Sequence, residues 1–315
     1  MSAAPRLILV YHPDEADAYA ALIHPPRRSL IVAVCGTPEA ATRHVADAEI
    51  LYAWGFPPDL LPQARALRWI QVMGAGVERF LVPGLRDDIV ITRAAGIFGP
   101  WMAEYAIGWA LWSTQKMEHF RALQRARHWK PTDPTRLRGR TLCVVGLGDI
   151  GRAVARLGRA FDMRVIGVSR SGRGAPEAHR VVRPAALTRV LGDADFVAVT
   201  VPLTPATRGL LGAAQLAAMK PGAWLINLAR GAVVDEAALL RALEARAIGG
   251  AVLDVFSEEP LPPGHPFWGL DNVVVTPHIS GPSTPAEIAP IFADNLRRYL
   301  AGRALRHVAD RGRGY

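Results

Sequence analysis

Lysine is nearly missing from this chain of 315 residues: Lys116, Lys130 and Lys220 are the only lysines among 37 basic residues. Arginine therefore carries the net charge of +9, and its positions are scattered along the whole length. A nucleic-acid surface needs a compact basic tract with interleaved aromatics, and neither is present. The excess charge reads instead as attraction for anionic substrates and cofactor phosphates. Cysteine is scarce too. Cys35 and Cys143 lie far apart, each in an apolar stretch, which suits small buried core residues and offers neither a disulfide framework nor a metal site. No apolar run reaches the roughly 18 to 20 residues that span a bilayer. The start, Met1 to Val10, holds one arginine and a short apolar strand, without the apolar core and cleavage site of a secretory leader. A soluble, cytoplasmic protein with no membrane or nucleic-acid partner is expected.

What is present is a rhythm. Apolar runs at Arg6–Val10, Leu30–Val34, Ile50–Trp54, Trp69–Val72 and Ile89–Thr92 alternate with helical stretches such as Pro38–Ala48. That alternation reads as a parallel sheet covered on both faces. A long helix follows from about Pro100 to Arg127, with Met102, Tyr105, Ala106, Trp109 and Trp112 recurring at helical spacing as packing surface. His128–Arg140, with Pro131 and Pro134, reads as a connecting loop. A second alternation puts strands at Thr141–Val145, Arg164–Val168, Phe196–Val201, Trp224–Asn227, Gly250–Leu253 and Val273–Thr276. Helices fall between them, among them Gly151–Ala160, Ala213–Ala218 and Glu236–Ala245. Six strands in this rhythm make a doubly wound dinucleotide-binding domain. A last helix, Pro285–Leu300, is expected to return to the first domain. The expected class is α/β with two doubly wound parallel-sheet domains. One is a Rossmann-type cofactor domain over residues 98–283; the other is a smaller flavodoxin-like substrate domain made of residues 1–97 and 284–315.

The strand Thr141–Val145 runs into Gly146-Leu-Gly148-Asp149-Ile150-Gly151 and then a helix. In such a motif Gly146 makes the tight turn, Gly148 admits a pyrophosphate close to the backbone, and Gly151 lets helix and strand pack closely. The helix start adds unpaired amides and a partial positive charge. A lone glycine triplet says little, but strand, helix and a second strand at the right distance make this one specific. That second strand ends in Gly167-Val-Ser169-Arg170-Ser-Gly-Arg173. An NAD site usually places Asp or Glu there, against the ribose hydroxyls. A carboxylate repels a 2′-phosphate and a guanidinium binds one, so Ser169, Arg170 and Arg173 favour NADP(H), with NAD(H) still open.

Three later segments each set a polar residue just past the C-terminal end of a parallel strand, where open α/β sheets bind ligands. They are Ile226-Asn-Leu228-Ala-Arg230-Gly-Ala-Val-Val-Asp235, Ala251-Val-Leu-Asp254-Val-Phe-Ser-Glu-Glu259-Pro-Leu261 and Asn272-Val-Val-Val-Thr-Pro-His278-Ile279. With Val201-Pro202-Leu-Thr-Pro-Ala-Thr207-Arg208, they resemble the D-isomer-specific 2-hydroxyacid dehydrogenase family. The likeness covers essentially the whole chain, is densest from Thr141 to His278, and is nearest to glyoxylate/hydroxypyruvate reductases.

The resemblance implies reduction of a small 2-keto acid, such as glyoxylate or hydroxypyruvate, to the D-2-hydroxy acid. It implies that Arg230 binds the substrate carboxylate and polarises the keto oxygen, and that His278 is the general acid and a substrate contact. Glu259 would pair with His278 and favour its imidazolium. The backbone amides of Ala75 and Gly76, in Gly74-Ala-Gly-Val-Glu78, would hold the carboxylate; Glu78 stands where the family usually has Asp. Around the cofactor it implies the three glycines with Asp149 and Ile150, then Met102, Pro202, Thr207 and Leu228, and Asp254 beside the nicotinamide. Asp254 also reads as a helix cap. The substrate side chain would be read near Trp54, Met73 and Phe98. The family is usually a homodimer through the Pro100–Arg127 segment, with Trp129-Lys130-Pro131 reaching the partner's site. The other histidines, His12, His44, His179 and His307 among them, read as surface residues, and no metal is implied.

Rival readings keep the fold. A dinucleotide-sensing binding protein would share the glycine motif without turnover. A formate dehydrogenase-like enzyme would pair its histidine with glutamine in place of Glu259, whereas a phosphite-oxidising relative can keep a similar triad. The long regulatory type of phosphoglycerate dehydrogenase is disfavoured, since Tyr315 ends the chain.

Overall fold

The apolar runs pair into two separate parallel sheets, one in each of two units. The structure is a computed structural model that describes residues 5–24 and 30–315; the first four residues of the N-terminal stretch lie outside the described residues. One unit is Met1–Ile97 with Ser283–Tyr315, and the other is Phe98–Pro282.

In the first unit, β1 (Arg6–Tyr11), α1 (Ala16–Ala21), β2 (Leu30–Cys35), α2 (Pro38–Thr42), β3 (Ala48–Ala53), β4 (Trp69–Val72) and β5 (Val90–Arg93) follow in turn. The sheet runs β2-β1-β3-β4-β5, all parallel. This is the flavodoxin-like order, which reverses between β1 and β3. Ile8, Leu9, Val10, Ile50 and Leu51 are buried at successive positions because both faces are covered. The C-terminal helix Pro285–Leu300 covers one face. Its Phe292 stacks on Tyr52 and Trp69, with ring centroids 4.1 and 5.3 Å apart, and its buried Asn295 donates to Gln71 Oε1 at 3.1 Å.

The second unit opens with α3 (Phe98–Thr114) and α4 (Met117–Arg125), then β6 (Thr141–Val145), α5 (Asp149–Ala160), β7 (Arg164–Val168) and β8 (Arg180–Val182). It continues with α6 (Leu187–Leu191), β9 (Phe196–Val199), α7 (Ala213–Ala217), β10 (Trp224–Asn227), α8 (Glu236–Glu244), β11 (Gly250–Leu253) and β12 (Val273–Val275), so that Pro285–Leu300 is α9. The strand order is β12-β11-β10-β9-β6-β7-β8, with its reversal between β6 and β9. α5 lies tight on the sheet, since a Cβ on Gly158 would stand 2.6 Å from Leu142 Cδ2. The two doubly wound sheets expected from the sequence are both present.

Several details differ from the sequence reading. β8 is a seventh strand of its sheet, only three residues long and bordered by His179 and Arg183, so it carries no period to detect. The single helix expected from Pro100 to Arg127 is two, because Lys116 takes a left-handed φ of 53° between α3 and α4. The stretch Pro38–Ala48 is helical only to Thr42, and Ala48 already belongs to β3. The strands read as Ile50–Trp54 and Phe196–Val201 end at Ala53 and Val199. His12 is not a surface residue: its side chain is 11% exposed and stacked on Tyr19, and its Nδ1 accepts from the amides of Asp14 and Glu15. Cys35 and Cys143 are both buried and free, and burial pushes the Cys143 thiol up to about 12. Among the described residues no helix is long and apolar enough to cross a membrane, and no group of His, Cys, Asp and Glu is arranged to hold a metal ion.

Candidate active site

The glycine loop sits at the reversal of the second sheet. Gly146 has φ +105°, a conformation that L side chains rarely adopt, and a Cβ there would meet Val201 Cγ1 at 2.9 Å. A Cβ on Gly151 would stand 1.8 Å from the Gly146 carbonyl oxygen. Thr200, one residue past β9, donates its hydroxyl to that same oxygen at 2.8 Å, tying the two strands beneath the loop. Gly148 caps α5, and a Cβ on it meets nothing within 4 Å. The approach to the first turn, Asp149, Ile150 and Gly151, is thus open, and a helix makes no internal use of its first amides. Donors, a partial positive charge and clear space fit the pyrophosphate of a dinucleotide.

Past β9, Pro202 is exposed and its carbonyl accepts from Thr207 Oγ1 at 2.6 Å. Thr207 Oγ1 also takes the Thr204 amide at 2.8 Å, so this hydroxyl closes its own turn. Leu228 and Met102 are buried, and Met102 packs on Gly281, where a Cβ would come within 3.1 Å of its Cγ.

At the end of β7 the chain turns tightly, with Ser169 Oγ accepting from the Gly172 amide and Ser171 Oγ from the Arg173 amide, both at 3.2 Å. Arg170 and Arg173 are exposed on this turn. A third guanidinium joins them. Arg183, just past β8, lies against Gly172, where a Cβ would stand 2.7 Å from its Cγ, and its Nε donates to the Ser171 carbonyl at 3.4 Å. The sequence reading missed Arg183 because it missed the strand that delivers it.

Three strand ends build the polar cluster. After β10, buried Asn227 accepts the Ala229 amide at 3.1 Å and donates to the Arg230 carbonyl at 3.2 Å, which fixes the turn carrying Arg230. Gly231 then touches the backbone of Phe256, where a Cβ would be 2.0 Å from the carbonyl carbon, so the Arg230 turn and the segment after β11 pack directly together. On that segment Glu259 Oε1 accepts from the Phe256 amide at 2.9 Å, and Oε2 lies 2.9 Å from His278 Nδ1. Burial works against the Glu259 carboxylate. Hydrogen bonds from His278 and the Phe256 amide, with the charges of His278 and Arg230, outweigh it and hold the carboxyl below the usual carboxylate range. With Nδ1 committed to Glu259, Nε2 is the ring atom left for a substrate.

His278 itself has a left-handed φ of 54°, a conformation that costs an L residue about 1–2 kcal/mol. Fully buried Asp254 grips the chain on both sides of it. Asp254 Oδ1 accepts from the Thr276 hydroxyl at 2.7 Å and the Ile279 amide at 2.8 Å, and Oδ2 accepts from the Ser280 amide at 2.9 Å. Asp254 is thus no helix cap; its carboxylate binds the histidine segment.

In the first unit, the loop after β4 carries Gly74 to Glu78. The Trp54 ring covers Gly74 so closely that a Cβ there would be 2.4 Å from the indole. Ala75 and Gly76 are half-buried, and their N–H groups enter no hydrogen bond among the described residues. Of the side chains expected to read the substrate, Trp54 is 38% exposed, whereas Met73 and Phe98 are buried and Phe98 starts α3 in the other unit.

Residues 107–280 match the family profile described as D-isomer specific 2-hydroxyacid dehydrogenase, NAD binding domain. The chain belongs to this family. The D-2-hydroxyacid dehydrogenases similar to it include the glyoxylate reductase of Aeropyrum pernix, 35% identical over 80% of this chain and 79% of that one. The glyoxylate/hydroxypyruvate reductase A of Serratia proteamaculans is 32% identical over 85% of this chain and 88% of its own. Among solved structures, the NADPH-dependent glyoxylate/hydroxypyruvate reductase of Sinorhizobium meliloti, in complex with NADP and sulfate, superposes with a TM-score of 0.88. It is 31% identical and covers 99% of this chain and 100% of that one. The family profile spans Arg230, Glu259 and His278, the residues that this dehydrogenase brings together after β10, β11 and β12.

Proposed function

We propose that the chain reduces a small 2-keto acid, of the size of glyoxylate or hydroxypyruvate, to the D-2-hydroxy acid and runs the reverse reaction, with NADP(H) preferred over NAD(H). The observation that carries this reading is the His278–Glu259 pair at 2.9 Å beside the Arg230 turn, on the strand ends where the family keeps its chemistry. A bound reduced nicotinamide supplies the hydride. Arg230 offers a planar donor fork that suits a carboxylate bidentately and draws charge from the adjacent keto oxygen. The Ala75 and Gly76 amides are proposed as further donors to that carboxylate. His278 gives its Nε2 proton to the keto oxygen as the alcohol forms, and takes one back from it in the oxidative direction. Glu259 stabilises the imidazolium and fixes the ring, so that the proton sits where charge develops.

Gly146, Gly148, Asp149, Ile150 and Gly151 are assigned to the pyrophosphate. Arg170, Arg173 and Arg183 are assigned to the 2′-phosphate, a role supported by the lack of any carboxylate at the end of β7. The NADPH dependence of the Sinorhizobium meliloti relative agrees with that preference. A homodimer is proposed through α3 and α4. No residue of α4 is buried, and Met117 and Phe120 are 44% and 38% exposed. The cytoplasm is the proposed location.

The test is oxidation of NADPH and NADH, followed by nicotinamide absorbance, against a panel of 2-keto acids. Turnover with glyoxylate or hydroxypyruvate, faster with NADPH and lost in His278→Ala and Arg230→Ala, is expected. Tight cofactor binding with no turnover on any 2-keto acid would overturn the reading and leave a dinucleotide-sensing protein.

A further inference from the structure

We propose that Tyr105, on α3, is a positioning residue for His278, acting through Thr276 and Asp254. The inference rests on the reading of His278 as the proton donor and adds a residue that the mechanism above does not use.

The direction of the hydrogen bonds carries the argument. Thr276 has one hydroxyl proton, and Asp254 Oδ1 takes it at 2.7 Å. The Tyr105 hydroxyl lies 2.5 Å from the same Thr276 oxygen. Since the threonine proton is already committed, Tyr105 is the donor in that contact. The chain of bonds therefore runs one way, from the Tyr105 hydroxyl to the Thr276 hydroxyl to Asp254. It ends on a carboxylate that also holds the amides of Ile279 and Ser280.

That placement matters for His278. The residue sits between Thr276 and Ile279 with a left-handed backbone that relaxes unless its neighbours hold it. Asp254 holds both neighbours, but it is fully buried, and a buried carboxylate keeps its position only while its lone pairs are satisfied. Thr276 stays aimed at Asp254 because Tyr105 occupies the other side of its hydroxyl. The tyrosine is itself constrained, with the Trp109 ring edge-on at 6.1 Å. Burial raises its phenol above the ordinary value, so it remains a donor throughout neutral and alkaline pH. The charged group set against the imidazole is Glu259, at 2.9 Å, and it does not belong to this chain of bonds.

The experiment compares Tyr105→Phe, Thr276→Val and Thr276→Ser with wild type, in two measurements. In steady-state reduction, Tyr105→Phe and Thr276→Val each lower kcat about tenfold with KM for NADPH unchanged, short of the ~10²-fold that a misplacement of one ångström costs. The double variant is no worse than the poorer single one, and Thr276→Ser, which keeps the hydroxyl, stays near wild type. In the cofactor-free protein, the His278 imidazole NMR signals are sharp in wild type and Thr276→Ser, and shifted or broadened in the other two. Unchanged kcat and unchanged imidazole signals in Tyr105→Phe, with only a lower Tm, would overturn the proposal and leave Tyr105 as packing. If wild type reduces no 2-keto acid while the imidazole signals respond as expected, the functional reading fails and the positioning role stands.

Discussion

His278 Nδ1 and Glu259 Oε2 stand 2.9 Å apart, and the other oxygen of that carboxylate is taken by the Phe256 amide. The carboxylate cannot swing away without losing both bonds, so it holds the ring in one orientation and one tautomer. Glu259→Gln keeps the shape and removes the charge that favours the imidazolium. Its kcat/KM for reduction should fall by about 10- to 100-fold, part of the ~10²–10⁴ that general acid catalysis contributes. A kcat/KM equal to that of wild type would remove Glu259 from the mechanism.

The same pair makes a stability prediction. The Glu259 carboxyl is held below the usual carboxylate range in the folded chain, so the unfolded chain binds that proton more readily. The stability it contributes is complete above the unfolded value of about 4.3, and is lost as pH falls through the lower folded value. Thermal melts of wild type and Glu259→Gln should show a constant gap near neutrality that closes in acid. A gap that persists in acid would assign the difference to packing.

Two glycines of one loop should fail differently. A Cβ on Gly148 meets nothing in the protein, so Gly148→Ala should melt like wild type yet bind NADPH at least tenfold more weakly, or about 1.4 kcal/mol. Gly151→Ala puts a methyl 1.8 Å from the Gly146 carbonyl oxygen, so it should lower Tm as well as binding. Calorimetry and titration of both variants separate the outcomes, and unchanged affinity in Gly148→Ala would remove the pyrophosphate from this turn.

The basic turn after β7 predicts cofactor choice. Charge-assisted hydrogen bonds contribute about 1.5–3 kcal/mol each, so Arg170→Ala with Arg173→Ala should raise KM for NADPH at least tenfold and leave KM for NADH nearly unchanged. Arg183→Ala should move the same ratio, since its side chain lies on that turn. Equal losses with both cofactors would mean that these arginines serve the fold alone.

α4 should be an interface. Met117→Asp with Phe120→Asp places two charges on a helix face that has no buried residue in the single chain. Sedimentation should then show one copy where wild type shows two. A mass unchanged by the substitutions would move the contact elsewhere.

The two sheets, the glycine loop and the polar strand ends were legible in the sequence because each depends on local pattern. Buried parallel strands are near-continuous apolar runs, and the glycines of the turn have no substitute where backbone meets backbone. Tertiary structure decided what arises between segments distant in sequence. It delivered Arg183 on a three-residue strand too short to show a period, and broke the long helix at Lys116. It also turned Tyr105, which reads as one more packing residue on a helix, toward Thr276, 171 positions away. Periodicity reports which face of an element is apolar; which distant hydroxyl a buried carboxylate binds is set only when the strands that carry them are brought side by side.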